Sequence, residues 1–137
     1  MDLTNSQDPL NKNYPVLGEI QCGFPSPAAD YLEDQLNLHD YLIKKPAATF
    51  LMRAKGDSMV GAGIYPDDIL IIDRSLTARS GNIIVASLNG DFTLKRLIQI
   101  HGTVILQPEN PVYKPLTITP EMDFQIFGVV TFNVHRL

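Results

Sequence analysis

The sequence predicts a mainly β domain of short antiparallel strands behind an extended N-terminal arm. Three observations carry this. From Pro46 onward, short apolar runs alternate with Gly, Asn and Asp separators, the pattern of strands joined by tight turns. Between those runs no stretch of about 10 to 15 residues has helical period, which argues against a doubly wound α/β fold. Ahead of them, residues 1–27 carry Pro9, Pro15, Pro25 and Pro27 among isolated apolar residues with neither a 3.6 nor a 2 period.

Taken in order, the arm comes first, read as residues 1–37, with the folded domain over 38–137; a chain of 137 residues fits one domain plus an arm. From Ala28 to Leu42, the apolar residues Tyr31, Leu32, Leu36, Leu38, Tyr41 and Leu42 predict one or two short helical turns ended before Pro46. Strands are expected at Thr49–Ala54, Ile69–Asp73, Ile83–Leu88, Phe92–Ile98, Thr103–Gln107, Leu116–Ile118 and Phe124–Val134. Ser80-Gly81-Asn82 and Asn89-Gly90-Asp91 tolerate positive φ, and the second is a hairpin signal.

Composition bounds the function. The chain is 45% apolar and 19% charged, far from the signature of disorder. A net charge of -4 argues against direct nucleic-acid binding, which needs clustered Lys and Arg. The apolar segments fall short of the roughly 20 residues that span a bilayer, and the N-terminus lacks a signal peptide's basic and apolar regions, so a cytoplasmic protein is expected. Cys22 is the one cysteine, and His39, His101 and His135 are scattered, so neither an intrachain disulfide nor a metal or other cofactor is expected.

The chemistry concentrates at Gly56-Asp57-Ser58-Met59 and at Lys95 within Phe92-Thr93-Leu94-Lys95-Arg96-Leu97. Between Gly56 and Gly61-Ala62-Gly63, the Ser58 hydroxyl can be displayed on a tight turn, as a nucleophile requires. If that turn opens a helix, nearby backbone N–H groups are available to an oxyanion. Strand alternation puts Lys95 on the face of Thr93 and Leu97. A lysine taken out of water loses hydration, its pKa falls, and it can then act as a general base on serine. Alone, a serine near glycine is a plain turn and a strand lysine is solvated; their pairing is the signal. Cys22-Gly23, in the proline-rich arm, combines a small side chain with a glycine that permits close approach. The lone thiol itself reads as an inert small hydrophobe.

Several ordered segments, Cys22 to Tyr31, Gly56 to Met59, Ile69 to Asp73, Phe92 to Leu97 and Phe127 to Val130, resemble the LexA-like self-cleaving serine peptidases, and within them the UmuD-like accessory proteins of error-prone DNA polymerases. The resemblance runs from about Gln21 to Phe132. It implies Ser58 as nucleophile, Lys95 as neutral base, the N–H groups of Asp57 and Ser58 as oxyanion hole, and Cys22-Gly23 as the scissile bond. It also implies a homodimer, cleavage promoted by a RecA filament on single-stranded DNA, and a partner in the UmuC-like catalytic subunit of a translesion polymerase. Two departures stand out: Pro66-Asp67-Asp68 replaces a common glycine-aspartate turn, where Asp67 can still reach a left-handed conformation at some cost, and nothing before Gln21 matches.

A repressor would need a DNA-binding head, yet 22 residues precede Gly23, too few for packed helices. A signal peptidase would share serine and lysine but carry a membrane anchor. The alternative from another class is a β-domain polymerase-binding subunit that does not cleave.

Overall fold

A computed structural model describes residues 10–25 and 34–137. The chain divides into two compact units, Met1–Lys44 and Lys45–Leu137. In the first, β1 (Asn13–Val16) pairs antiparallel with β2 (Asp34–Asn37), Tyr14 opposite Leu36. The sequence reading had no strands here, because Pro15 and the polar residues around it break any period of two. A two-stranded ribbon accommodates Pro15, since each strand has an edge free of ladder bonds. Helix α1 (Leu38–Leu42) follows, capped by the Asn37 side chain, which accepts the Asp40 N–H at 3.1 Å. The expected helical turns are thus confined to 38–42 among the described residues. The rest of that expectation, 28–33, lies outside them.

The second unit is a seven-stranded antiparallel sheet in the order β3-β4-β9-β5-β6-β7-β8, the mainly β architecture expected. Its strands are β3 (Thr49–Arg53), β4 (Ile69–Asp73), β5 (Ile83–Leu88), β6 (Asp91–Ile100), β7 (Thr103–Gln107), β8 (Leu116–Thr117) and β9 (Phe124–Val134). Asn89 and Gly90, at φ 50° and 89°, form the two-residue turn from β5 to β6. The same geometry recurs at His101 and Gly102, φ 50° and 78°, joining β6 to β7. Positive φ at both central residues matches the turn to the twist of the strands. The sequence reading missed the second turn and stopped β6 short, since histidine is a weaker signal there than asparagine. The Pro66-Asp67 departure resolves as a type II turn: the Asp68 N–H reaches the Tyr65 carbonyl at 3.1 Å and Asp67 takes φ 73°.

Side chains on both faces of β5 are buried. Val85 of β5 packs with Ala54, Met59, Ile64, Leu70 and Ile72, whereas its neighbours Ile84 and Ala86 pack with Leu97, Leu106 and Val129. This is why β4 and β5 read as continuous apolar runs rather than alternating ones. Two register shifts bend β9, at Ile71/Ile72 against β4 and at Val85/Ala86 against β5. The second frees the Phe127 carbonyl to accept Arg74 Nε at 2.8 Å. Gly128 lies beside it because a Cβ there would sit 2.6 Å from Ile72 Cγ2 and 3.3 Å from the Asp73 carbonyl. Gly128→Ala is therefore expected to destabilise by about 1 to 3 kcal/mol, read as a lower midpoint in urea unfolding of a Ser58→Ala background.

Candidate active site

Ser58 and Lys95 come from separate parts of the sheet. Gly56, at φ 81°, turns the chain after β3, and a single 3-10 turn, Val60–Ala62, follows Met59. Met59, 2% exposed, is driven into the core beside Ala54, Ile64 and Leu70. Burial of that side chain holds Ser58, half-buried, at the rim of a cleft. The cleft has a volume of about 220 Å³ and is lined by Met52, Gly56, Phe92, Thr93, Leu94 and Val85 among others.

Lys95 enters from β6, opposite the fully buried Ile84. Over Asp91–Lys95 this strand pairs with β5 alone, because β7 joins only from Arg96 onward; its other edge opens on the cleft. The Lys95 Nζ lies 3.4 Å from Ser58 Oγ, 3.1 Å from Thr93 Oγ1 and 3.0 Å from the Leu94 carbonyl. Burial pushes the Lys95 pKa below its ordinary value.

These three contacts sort themselves chemically. A carbonyl only accepts, so one N–H of the amine goes to Leu94, whereas the hydroxyls of Thr93 and Ser58 can each donate or accept. When the lysine is neutral, its lone pair can therefore be turned to the Ser58 hydroxyl 3.4 Å away. The arrangement can hold a deprotonated lysine as a base aimed at the serine. Thr93 was missed as part of the site; the signal for it was present, since residues two apart on a strand share a face.

Around Ser58 the backbone is arranged unevenly. Among the described residues, no hydrogen-bond partner takes the N–H of Asp57 or of Ser58, whereas both their carbonyls are occupied: Asp57 O by Asn110 Nδ2 at 3.0 Å and Ser58 O by the Glu109 N–H at 2.8 Å. The Tyr113 hydroxyl donates to Asp57 Oδ1 at 2.5 Å, and this bond, with the Asp57 charge, holds the Tyr113 proton on above its usual pKa. Cys22 and Gly23 lie in the first unit, in an exposed bend, with the thiol free.

A second polar cluster surrounds the buried Asp68. Desolvation pushes its pKa up, but the Tyr65 N–H, His135 and Asn133 together bring it below the usual carboxylate value. His135 Nδ1 lies 2.5 Å from Oδ1, and Asn133 Nδ2 donates to Oδ2 at 2.9 Å. This cluster ties the end of β9 to the Pro66-Asp67 turn. Among the described residues, no helix is long and apolar enough to cross a membrane.

Residues 15–131 match the family described as Peptidase S24-like. The chain is 44% identical over 131 residues to protein SamA of Salmonella typhimurium, covering 95% of this chain and 91% of SamA. It is 45% identical over 116 residues to protein ImpA of Escherichia coli, 85% of this chain and 79% of ImpA. LexA repressor 2 of Pseudomonas putida is 38% identical over 120 residues, 84% of this chain but 56% of the repressor. With that span matched and those identities, the chain belongs to the Peptidase S24-like family of self-cleaving serine peptidases, alongside the UmuD-like proteins of SOS mutagenesis.

Proposed function

We propose that this protein cuts its own chain between Cys22 and Gly23, using Ser58 as nucleophile and Lys95 as general base. The shortened homodimer would then serve as an accessory subunit of an error-prone translesion polymerase in the SOS response. The observation that carries the reading is the Lys95 amine, partly withdrawn from water with its pKa lowered by burial, placed 3.4 Å from Ser58 Oγ.

In this mechanism neutral Lys95 takes the Ser58 proton as Oγ attacks the Cys22 carbonyl carbon. Negative charge on the carbonyl oxygen is met by the N–H groups of Asp57 and Ser58. Collapse breaks the Cys22–Gly23 bond as Lys95 returns its proton to the Gly23 nitrogen, leaving Cys22 esterified to Ser58. Water, giving its proton to Lys95, then attacks the ester carbonyl; Lys95 passes that proton to Ser58 Oγ as the ester bond breaks, freeing the N-terminal peptide with a Cys22 carboxyl end. The open edge of β6 over Asp91–Lys95 supports an extended substrate, which can add to it as a strand.

Residues 1–37 act in this reading as the arm and 38–137 as the catalytic and dimerisation domain. Phe50 and Phe92, 45% and 59% exposed, stack edge-on against Phe127 at 5.7 and 5.2 Å, an aromatic surface suited to a second copy. A RecA filament on single-stranded DNA would accelerate cutting by favouring the docked arm, since the observed rate is the intrinsic one times the docked fraction. The UmuC-like catalytic subunit is the proposed partner of the product. SamA and ImpA, similar over most of their lengths, support the assignment.

The test is mass spectrometry of the purified protein after incubation across neutral to alkaline pH, with no filament present. A fragment spanning residues 23–137 is expected, and its rate should climb with pH and level off below the ordinary lysine pKa. The sign follows from the site: burial lowers the Lys95 pKa, so the amine needed as base accumulates at lower pH than for a solvated lysine. A flat profile would count against a lysine base.

A further inference from the structure

We propose that the loop Pro108–Tyr113 is a clamp on the nucleophile turn, with Asn110 as the positioning residue that orients the Ser58 N–H of the oxyanion site; this rests on the Ser58/Lys95 reading above. Four hydrogen bonds join loop and turn across more than 45 residues of sequence. Asn110 Nδ2 donates to the Asp57 carbonyl at 3.0 Å, and the Glu109 N–H donates to the Ser58 carbonyl at 2.8 Å. The Gly61 N–H donates to the Glu109 carbonyl at 2.7 Å, and Tyr113 binds the Asp57 carboxylate at 2.5 Å.

The consequence follows from peptide planarity. In a trans peptide the carbonyl and the next N–H point in opposite directions within one plane. Holding the Asp57 carbonyl therefore sets the direction of the Ser58 N–H, away from the loop. The Asn110 amide cannot exchange its ends without loss: its Oδ1 already accepts the Val112 N–H at 3.1 Å, which directs Nδ2 at Asp57. The clamp also reaches the base. Glu109 forms an ion pair with Arg96, the residue after Lys95, and Arg96 Nη1 is anchored on the Gly81 carbonyl at 2.5 Å. Nucleophile turn and base strand thus share one tether. Gly61 is part of it, since a Cβ there would collide with the Glu109 carbonyl.

A loop that only stabilised the fold would change how much protein is folded, not how fast folded protein cuts. The test measures first-order self-cleavage against pH for the full chain, its Ser58→Ala control, Asn110→Leu and Tyr113→Phe, with thermal melts of each. Asn110→Leu removes the donor without adding charge. While still folded at the assay temperature, it is expected to lower the alkaline plateau by about 10- to 100-fold with the pH midpoint unmoved, because the three Lys95 contacts are untouched. Tyr113→Phe deletes one oxygen at the surface and is expected to lower the plateau less; it carries the test if Asn110→Leu does not fold. A folded variant of either kind that cuts at the wild-type plateau overturns the clamp alone. A wild-type chain that never cuts overturns the dyad, and the clamp with it.

Discussion

Ser58→Ala and Lys95→Ala are each expected to abolish release of the fragment 23–137 while leaving the sheet folded. The contacts say why the fold survives. Ser58→Ala removes one of three Lys95 Nζ partners and leaves Thr93 Oγ1 and the Leu94 carbonyl in place. Lys95→Ala removes a cation that burial already disfavours, so the cost to the fold is small. Its sign can be worked out. Because the folded pKa is depressed, the unfolded chain binds more protons between that value and the ordinary lysine pKa, and stability rises with pH through this window. In a Ser58→Ala background, Lys95→Ala should remove that rise. The measurements are intact mass after alkaline incubation and circular dichroism melts; fragment from either purified variant would sink the dyad.

Gly23→Glu is expected to block cutting as completely, by a different route. A Cβ on Gly23 meets no neighbour in its own unit, so the arm tolerates the substitution and any effect arises when the bond is presented. There a bulky side chain on the leaving side keeps the carbonyl from Ser58. Its carboxylate, brought near Lys95, raises the lysine pKa and favours the ammonium, which cannot act as base. Intact mass again reads the outcome, with Gly23→Ala expected to cut more slowly than wild type but to cut. Unaffected processing of Gly23→Glu would move the scissile bond elsewhere.

The strands beyond Pro46 were legible because their signals are local. Ile69–Asp73, Ile83–Leu88, Thr103–Gln107 and Phe124–Val134 are bounded by turn residues whose φ the chain must adopt wherever it packs. Pairing between β1 and β2 was not legible, since Pro15 and Asn13 look like loop until Gln35 and Asn37 lie across from them. The same division runs through the site. Ser58 stood out by its glycine-led turn and Lys95 by its apolar strand, each a property of a few adjacent residues.

Distances between such residues are another matter. That Lys95 Nζ comes to 3.4 Å from Ser58 Oγ depends on β6 being seated against β5 and on Met59 being buried beneath the turn. Thr93 and the Leu94 carbonyl gain their meaning only once the amine is folded back between them. Asn110 and Tyr113 sit in a string, Pro108-Glu109-Asn110-Pro111-Val112-Tyr113, that reads as an ordinary loop. Its bonds run from the loop after β7 to Asp57 and Ser58 in the turn after β3, and no periodicity or spacing encodes them. Residue types and local turns set which groups are available for chemistry, because those depend on φ preferences and side-chain character. Their alignment into one site was set by core packing and hydrogen bonds between segments distant in sequence, which exist only in the assembled fold.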